Sequence, residues 1–409
     1  MKLKILFVSL LVLGFVRMQG QSYSNLNGQN NGMNVITTAV PFLMIAPDAR
    51  AGSMGDAGVS TSADVYSMHW NPAKYATMKT DMSVGLSYSP WLRNLVPDMN
   101  LAYLAFAKRI NDMSTFAATL RYFTLGDIQF TDEFGKDNGT YSPNEWAIDA
   151  TYSRKLTDNL SGAVSGRFIY SNLTQGQFVQ GAETSAGWSV ASDVAIFWQK
   201  DVDWFSGLSS NFAWGINVSN IGAKLGYNQS SIKKDFIPTN LRFGPTLTLD
   251  IDDYNTISFS LDINKLLVPS PPIYLRDSLG NPVPIPGTDE FEIYKGMSDD
   301  VGVVKGIVQS FYDAPYGFEE EMRELSFSFA TEYWYNDVFA LRGGVFYEDK
   351  TKGNRKFASL GAGLKYNVFG LDFSYLIPIN SGTSVGTNPL QNTLRFALTF
   401  DLGEMTKKK

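Results

Sequence analysis

"STFAATLRYF", residues 114–123, decides the class of fold. Phe116, Ala118, Leu120 and Tyr122 fall on one side of an extended chain and Ala117, Thr119 and Arg121 on the other, because successive strand side chains point to opposite faces. A helix would scatter both sets around its surface. The same grammar returns in "EWAIDATYSRK" (145–155), where Trp146, Ile148, Ala150 and Tyr152 alternate with Ala147, Asp149, Thr151 and Ser153. In "TISFSLDINK" (256–265), Ile257, Phe259, Leu261 and Ile263 oppose Ser258, Ser260, Asp262 and Asn264. It closes the chain in "TLRFALTFDL" (393–402), with Leu394, Phe396, Leu398, Phe400 and Leu402 against Arg395, Thr399 and Asp401.

Followed along the whole chain, this pattern predicts fourteen strands, near residues 82–89, 99–108, 115–124, 145–155, 159–171, 187–199, 210–219, 240–250, 255–264, 325–335, 338–348, 356–366, 369–377 and 392–402. Most are long enough to cross a bilayer at a tilt, and an even number suits a closed single-chain barrel. One face of the set carries Arg121, Asp149, Arg167, Asp193, Arg242, Glu332, Arg342 and Arg395, while the other is nearly uncharged. A soluble sandwich would put its apolar faces inward and its charges in water, and alternation alone does not separate the two.

The N-terminus does. Lys2 and Lys4 precede the apolar run "ILFVSLLVLGFV" (5–16), and Gly20 stands before Gln21. A basic start, a 12-residue apolar run too short to span a bilayer and a small residue at its end describe a signal peptide over residues 1–20. The mature chain is therefore expected outside the cytoplasm, and the predicted fold is an all-β, 14-stranded antiparallel transmembrane barrel. Composition agrees: of 409 residues, 14% are aromatic, 36 are glycine and only 18% are charged, as suits a sheet-rich chain with many turns. A mean hydropathy of −0.11 is far too polar for a bundle of membrane helices. A net charge of −6 supplies no basic surface for nucleic acid.

Connection lengths orient the barrel. Those after even strands are short ("INDM", 110–113; "LTD", 156–158; "IDDY", 251–254; the break at Asn336 and Asp337), with 200–209 the exception. Those after odd strands include 125–144, 172–186, 220–239, 265–324 and 378–391. Outer-membrane barrels have short periplasmic turns and long outside loops. Both termini are thus expected in the periplasm and the long loops outside.

Residues 21–80 precede the barrel (81–402) and are glycine-, alanine- and serine-rich without sustained alternation. A lumen wider than that of eight strands is filled by water or by a plug, so this segment is expected to plug the barrel from the periplasmic side. Residues 403–409 form a tail.

Chemistry is sparse. "GSMGDAG", with Gly52, Gly55 and Gly58, lacks the spacing and the leading strand of a dinucleotide turn, and reads as tight backbone packing in the plug. His69 is the one histidine and no G-x-S-x-G elbow occurs, so it reads as a packed plug residue rather than a catalytic base. Asp250, Asp252 and Asp253 lack the glycine and terminal glutamate of a calcium loop and read as a solvated turn. With no cysteine, disulfides and thiolate metal sites are excluded. No catalytic residue, metal or cofactor is predicted. The lumen charges Arg121, Arg167, Asp193, Arg242, Glu332, Arg342 and Arg395 could line an ion-selective pore. The preferred reading pairs them with one another and with the plug, since charges cut off from water need partners.

"NPAKYA", with Asn71, Pro72 and Ala73, follows "ARAGSMGDAGVS" in a way that resembles the pre-barrel signature of the FadL-like family. "FIPTNLRFGP" (236–245), "DINKLLVPSPP" (262–272), "EYWYNDVFALRGGVFYED" (332–349) and "DFSYLIP" (372–378) look like the PorV branch of that family. The likeness runs from about Asp48 to Leu402. It implies a fourteen-stranded barrel with an N-terminal plug, in the outer membrane of a Bacteroidetes-type cell, serving type IX secretion. It further implies a non-enzymatic shuttle that takes secreted cargo by its C-terminal signal domain, caps the translocon, and carries cargo to a sortase complex. The alternative is a FadL-like transporter of hydrophobic small molecules, which needs an apolar lumen pocket, whereas most strands here present a polar lumen face.

The 60-residue connection 265–324 carries Phe291, Tyr294, Phe311, Tyr312, Tyr316 and Phe318 among acids, the composition of a protein-binding surface. A short helix is expected over 301–312. Its base, "LLVPSPPIYLRDSLGNPVPIPG" (266–287), includes Pro271, Pro272 and Tyr274 and should be stiff and extended. Partner contacts are expected there, with help from Trp91 and Leu92 and from 378–391.

Overall fold

The computed structural model describes residues 33–404 except 94, 95, 97, 132–136, 174–177, 180, 181, 206, 228–233, 289 and 380–389. The expected signal peptide, most of the connection 378–391 and the tail beyond residue 404 lie outside the described residues.

Fourteen strands form one closed antiparallel barrel. They are β1 (Thr80–Pro90), β2 (Asn100–Asn111), β3 (Ser114–Thr124), β4 (Asn144–Lys155), β5 (Leu160–Asn172), β6 (Gly187–Val202) and β7 (Ser209–Gly222), followed by β8 (Asn240–Asp250), β9 (Asn255–Leu266), β10 (Leu325–Tyr335), β11 (Phe339–Tyr347), β12 (Lys356–Tyr366), β13 (Phe369–Pro378) and β14 (Leu394–Glu404). Each pairs with its sequence neighbours, and β1 closes the ring on β14, where Thr80 faces Glu404 and Leu86 faces Leu398. Closure leaves no unpaired sheet edge, the condition for strands to stand in hydrocarbon.

Register decides which face is which. Leu86, Leu104, Leu120, Ile148, Phe168 and Val190 are directly opposed from β1 through β6, and all six are exposed on the outer wall. Their strand neighbours Arg121, Asp149, Arg167 and Asp193 are buried inside. A belt of exposed aliphatic and aromatic side chains around buried charge reverses the soluble arrangement and is the lipid-facing pattern of a membrane barrel.

Connections sort by end. At one end lie 112–113, 156–159, 203–208, 251–254, 336–338 and 367–368; at the other lie 91–99, 125–143, 173–186, 223–239, 267–324, 348–355 and 379–393. The exception expected at 200–209 shrinks, because β6 continues to Val202 and β7 begins at Ser209. The long end also holds small hairpins, among them Ile128–Thr131 with Asp137–Tyr141 and Ile273–Tyr274 with Ile293–Lys295.

Residues 33–79 form an inner segment with four short helical turns, Pro41–Met44, Ala49–Gly52, Ser67–Trp70 and Pro72–Thr77. It is bonded to strands all around the ring and so lies within it. Asn34 bonds to Thr351 and Pro271 at the long-connection end, while Met78 accepts a hydrogen bond from Arg109 near the far end of β2. The described chain therefore starts at the long-connection end and finishes, at Glu404, at the short one. The expectation that both termini lie on the short-turn side falls on residues outside the described ones. The segment crosses the lumen from one mouth to the other.

Candidate functional site

Local chemistry builds the inner segment. Asp48 caps Ala49–Gly52 by accepting from the Ala51 N–H at 2.8 Å, and its other oxygen accepts from Trp70 Nε1 at 2.6 Å. Asn71 caps Pro72–Thr77, accepting from Ala73 N at 3.0 Å, with Pro72 at the first helical position where it lacks no partner. The Asn71 amide then donates to the carbonyls of Val59 and Ile196, tying the turn to β6. Gly52, Gly55 and Gly58 stand at close approaches: they abut Arg395, the backbone of Val345 and the ring of Trp70.

The predicted lumen charges are all buried; Arg167, Asp193, Glu332, Arg342 and Arg395 sit in ion pairs, whereas Arg121 and Arg242 are held by carbonyls and neutral side chains. Arg167 of β5 bridges Asp149 of β4 and Asp193 of β6. Glu332 of β10 joins Arg50 of the inner segment, 2.7 Å away, to Arg342 of β11, which also holds Asp372 of β13 at 2.6 Å. Arg121 donates to the carbonyl of Leu43 at 2.7 Å and to His69 Nδ1 at 2.9 Å. That leaves the His69 proton on Nε2 and makes the histidine a packed lumen residue. Arg242 donates to Asn264 and to the His69 carbonyl and stacks 4.5 Å from the Trp70 ring. Arg395 lies 3.8 Å from Asp56 and donates to the Gly52 carbonyl. Asp262, which the sequence did not single out, receives the N–H groups of both Gly58 and Val59 at 2.8 and 2.9 Å. The lumen is less uniformly polar than alternation implied. Val40, Phe42 and Leu43 pack on Leu101, Phe123, Ala147 and Ile169 in an apolar layer.

The large connection is folded. The proline stretch makes a small local sheet: Val283 N donates to Leu275 O at 2.9 Å, Glu292 N to Val283 O at 2.9 Å and Ile285 N to Glu290 O at 2.9 Å. Pro282, Pro284 and Pro286 occupy the alternate positions, so the missing N–H groups fall where the local ladder does not need them. The helix expected over 301–312 forms as Val303–Gln309, and Gly306 packs it against Phe236 and Pro269. A second helix, Phe318–Arg323, supplies acids to a buried cluster at the rim. Lys265 bonds Glu321 at 3.0 Å and Glu324 at 2.7 Å; Lys352 bonds Glu320 at 2.6 Å and Glu324 at 3.0 Å. Asp313 accepts from Ser270 N and Gln309 Nε2, and burial pushes its carboxyl up to about 6. Burial also opposes the charge of Glu324, yet Lys352 and Lys265 hold it below the usual carboxylate range. Sequence reasoning missed this cluster, for its members are scattered acids and lysines until the fold gathers them.

Of the residues expected to meet partners, Phe291, Tyr294, Phe311, Tyr312, Tyr316 and Phe318 are exposed, Phe318 at 80%. So are Val304, Val308 and Met322, which the sequence reading did not name. Tyr274 is half-buried, its ring 5.8 Å from that of Phe291, and Pro271 is half-buried too. Pro272 lies beneath the surface. Trp91 and Leu92 do not join this group: both are half-buried, and Trp91 packs on the apolar lumen layer. Asp252 forms the expected solvated turn, accepting from Tyr254 and Asn255.

The family model of the type IX secretion system protein PorV matches residues 27–273, more than half of the chain. No curated protein matches it. Among solved structures the chain is similar to the toluene transporter TodX of Pseudomonas putida (TM-score 0.46, 9% identity, 87% of this chain and 98% of that one). It is similar also to the toluene transporter TbuX of Ralstonia pickettii (0.43, 11%, 87% and 98%) and to the monoaromatic hydrocarbon channel CymD (0.46, 13%, 90% and 100%).

Proposed function

The chain belongs to the PorV family of type IX secretion system proteins, and from that membership we propose a cargo shuttle in the outer membrane. In this reading the barrel binds secreted proteins by their C-terminal signal domain, caps the translocon, and carries cargo to the surface sortase complex. Its long connections face outward and its short turns face the periplasm, as in other outer-membrane barrels. The inner segment plugs the lumen, and the paired lumen charges hold it there.

The observation that carries the proposal is the large connection, where Phe311, Tyr312 and Phe318 stand exposed on a scaffold pinned by the Lys265–Glu324–Lys352 cluster. Exposed aromatics on a preordered base lose little entropy on docking and are the residues that anchor protein interfaces. Transport of hydrophobic small molecules would need open apolar space, and the described lumen is occupied by the inner segment.

The test is capture of cargo on the tagged barrel. Tyr312→Ser with Phe318→Ser changes two exposed side chains and leaves the cluster in place. Retained cargo should fall by about tenfold or more, since anchor residues contribute about 2 kcal/mol each. Retention at the wild-type level would sink the assignment of cargo to this connection.

A further inference from the structure

The two ends of the inner segment lie at opposite mouths of the barrel. At the long-connection mouth, Asn34 N donates to the Thr351 carbonyl at 3.0 Å, and Ala39 N donates to the Phe236 carbonyl at 2.9 Å. The Asn34 side-chain amide donates to the Pro271 carbonyl at 3.1 Å and to Glu320 Oε1 at 3.0 Å. One residue thus ties three pieces of chain: the continuation of β9, the helix Phe318–Arg323 and the connection between β11 and β12. At the other mouth, Arg109 reaches the Met78 carbonyl and Thr80 begins β1 opposite Glu404. Between them the segment bonds in turn to β3, β14, β12, β9, β8 and β4.

We infer that the inner segment is a cord threaded through the whole lumen, with Met33 on the face of the long connections and Asn34 as the clasp holding the large connection to the rim. The start of the cord and the proposed docking connection therefore share one side of the membrane, opposite the end of β14. Naming that side as the exterior rests on the orientation proposed above; the threading does not. A further consequence is that displacement of the large connection pulls on the cord, so the docking face and the lumen filling move together.

The chain contains no cysteine, so single cysteines report their own side. Met33 and Leu279 are exposed at the long-connection end and Asp112 at a short turn. With a membrane-impermeant maleimide on intact cells, Met33→Cys and Leu279→Cys should label alike, and Asp112→Cys only after lysis. Labelling of Met33→Cys together with Asp112→Cys, or its failure even in detergent, overturns the threading. If Met33→Cys and Leu279→Cys are both protected while Asp112→Cys labels, the threading holds and the assigned orientation falls. For the clasp, Asn34→Ala should raise deuterium uptake across 316–324 severalfold in the reconstituted barrel; unchanged uptake there removes it.

Discussion

At Gly55 the backbone takes φ +63°, and a Cβ would stand 2.7 Å from the Val345 nitrogen. Gly344, across from it on β11, has the Met54 backbone where its own Cβ would go. The inner segment thus meets the wall backbone to backbone, a fit only glycine allows. Gly55→Ala should cost about 1–3 kcal/mol through strain at a left-handed position. Glu332→Gln should cost about 3 kcal/mol or more, because it removes a shared partner from two buried arginines, Arg50 and Arg342. Both are read as the temperature at which the folded band converts to the unfolded one on a gel. Conversion unchanged in Glu332→Gln would mean the lumen pairs do not hold the segment.

Within the large connection, Asp313 and Glu324 give opposite pH dependences. The Asp313 carboxyl, raised to about 6 by burial, binds its proton more tightly folded than unfolded. Its contribution is therefore greatest at low pH and is lost as pH rises through about 6. Glu324, held low by Lys352 and Lys265, contributes above the ordinary glutamate range and loses that contribution as pH falls below it. Above the ordinary glutamate range only the Asp313 contribution still changes, so the connection should be better held at pH 5 than at pH 7.5. Proteolysis at Lys305 and Arg323, corrected for protease activity, should be slower at pH 5 than at pH 7.5, and Asp313→Asn should flatten that rise. Equal rates at pH 5 and pH 7.5 in the parent protein would remove Asp313 as the titrating group.

The whole molecule is a ring around its own leading segment, and the charges of the wall are neutralised largely from strand to strand or by that segment. Deleting residues 33–78 would leave Arg121, Arg242 and Arg395 without the carbonyls and side chains they now meet. Water would replace them in a lumen wide enough to hold it. In planar bilayers the deletion variant should show stepwise ion conductance where the full chain shows little. Equal conductance of the two would show that the segment fills the lumen without closing it.

Strand positions, their two faces and the sorting of short and long connections were legible in the sequence, because alternation and turn length act over a few neighbouring residues. Phe116 and Leu120 against Thr119 and Arg121 already separate wall from lumen. Alternation left undecided which face looked outward, for a sandwich and a barrel both bury one face; ring closure put Arg121 inside and Leu120 in the belt. Closure likewise brought Arg50 to Glu332 across 282 positions and gathered Lys265, Glu320, Glu324 and Lys352 at one rim. The direction of the inner segment, from Asn34 at one mouth to Met78 at the other, has no local signature at all. It follows from which distant strands its polar groups find, and a buried polar group takes whichever partner the closed ring places beside it.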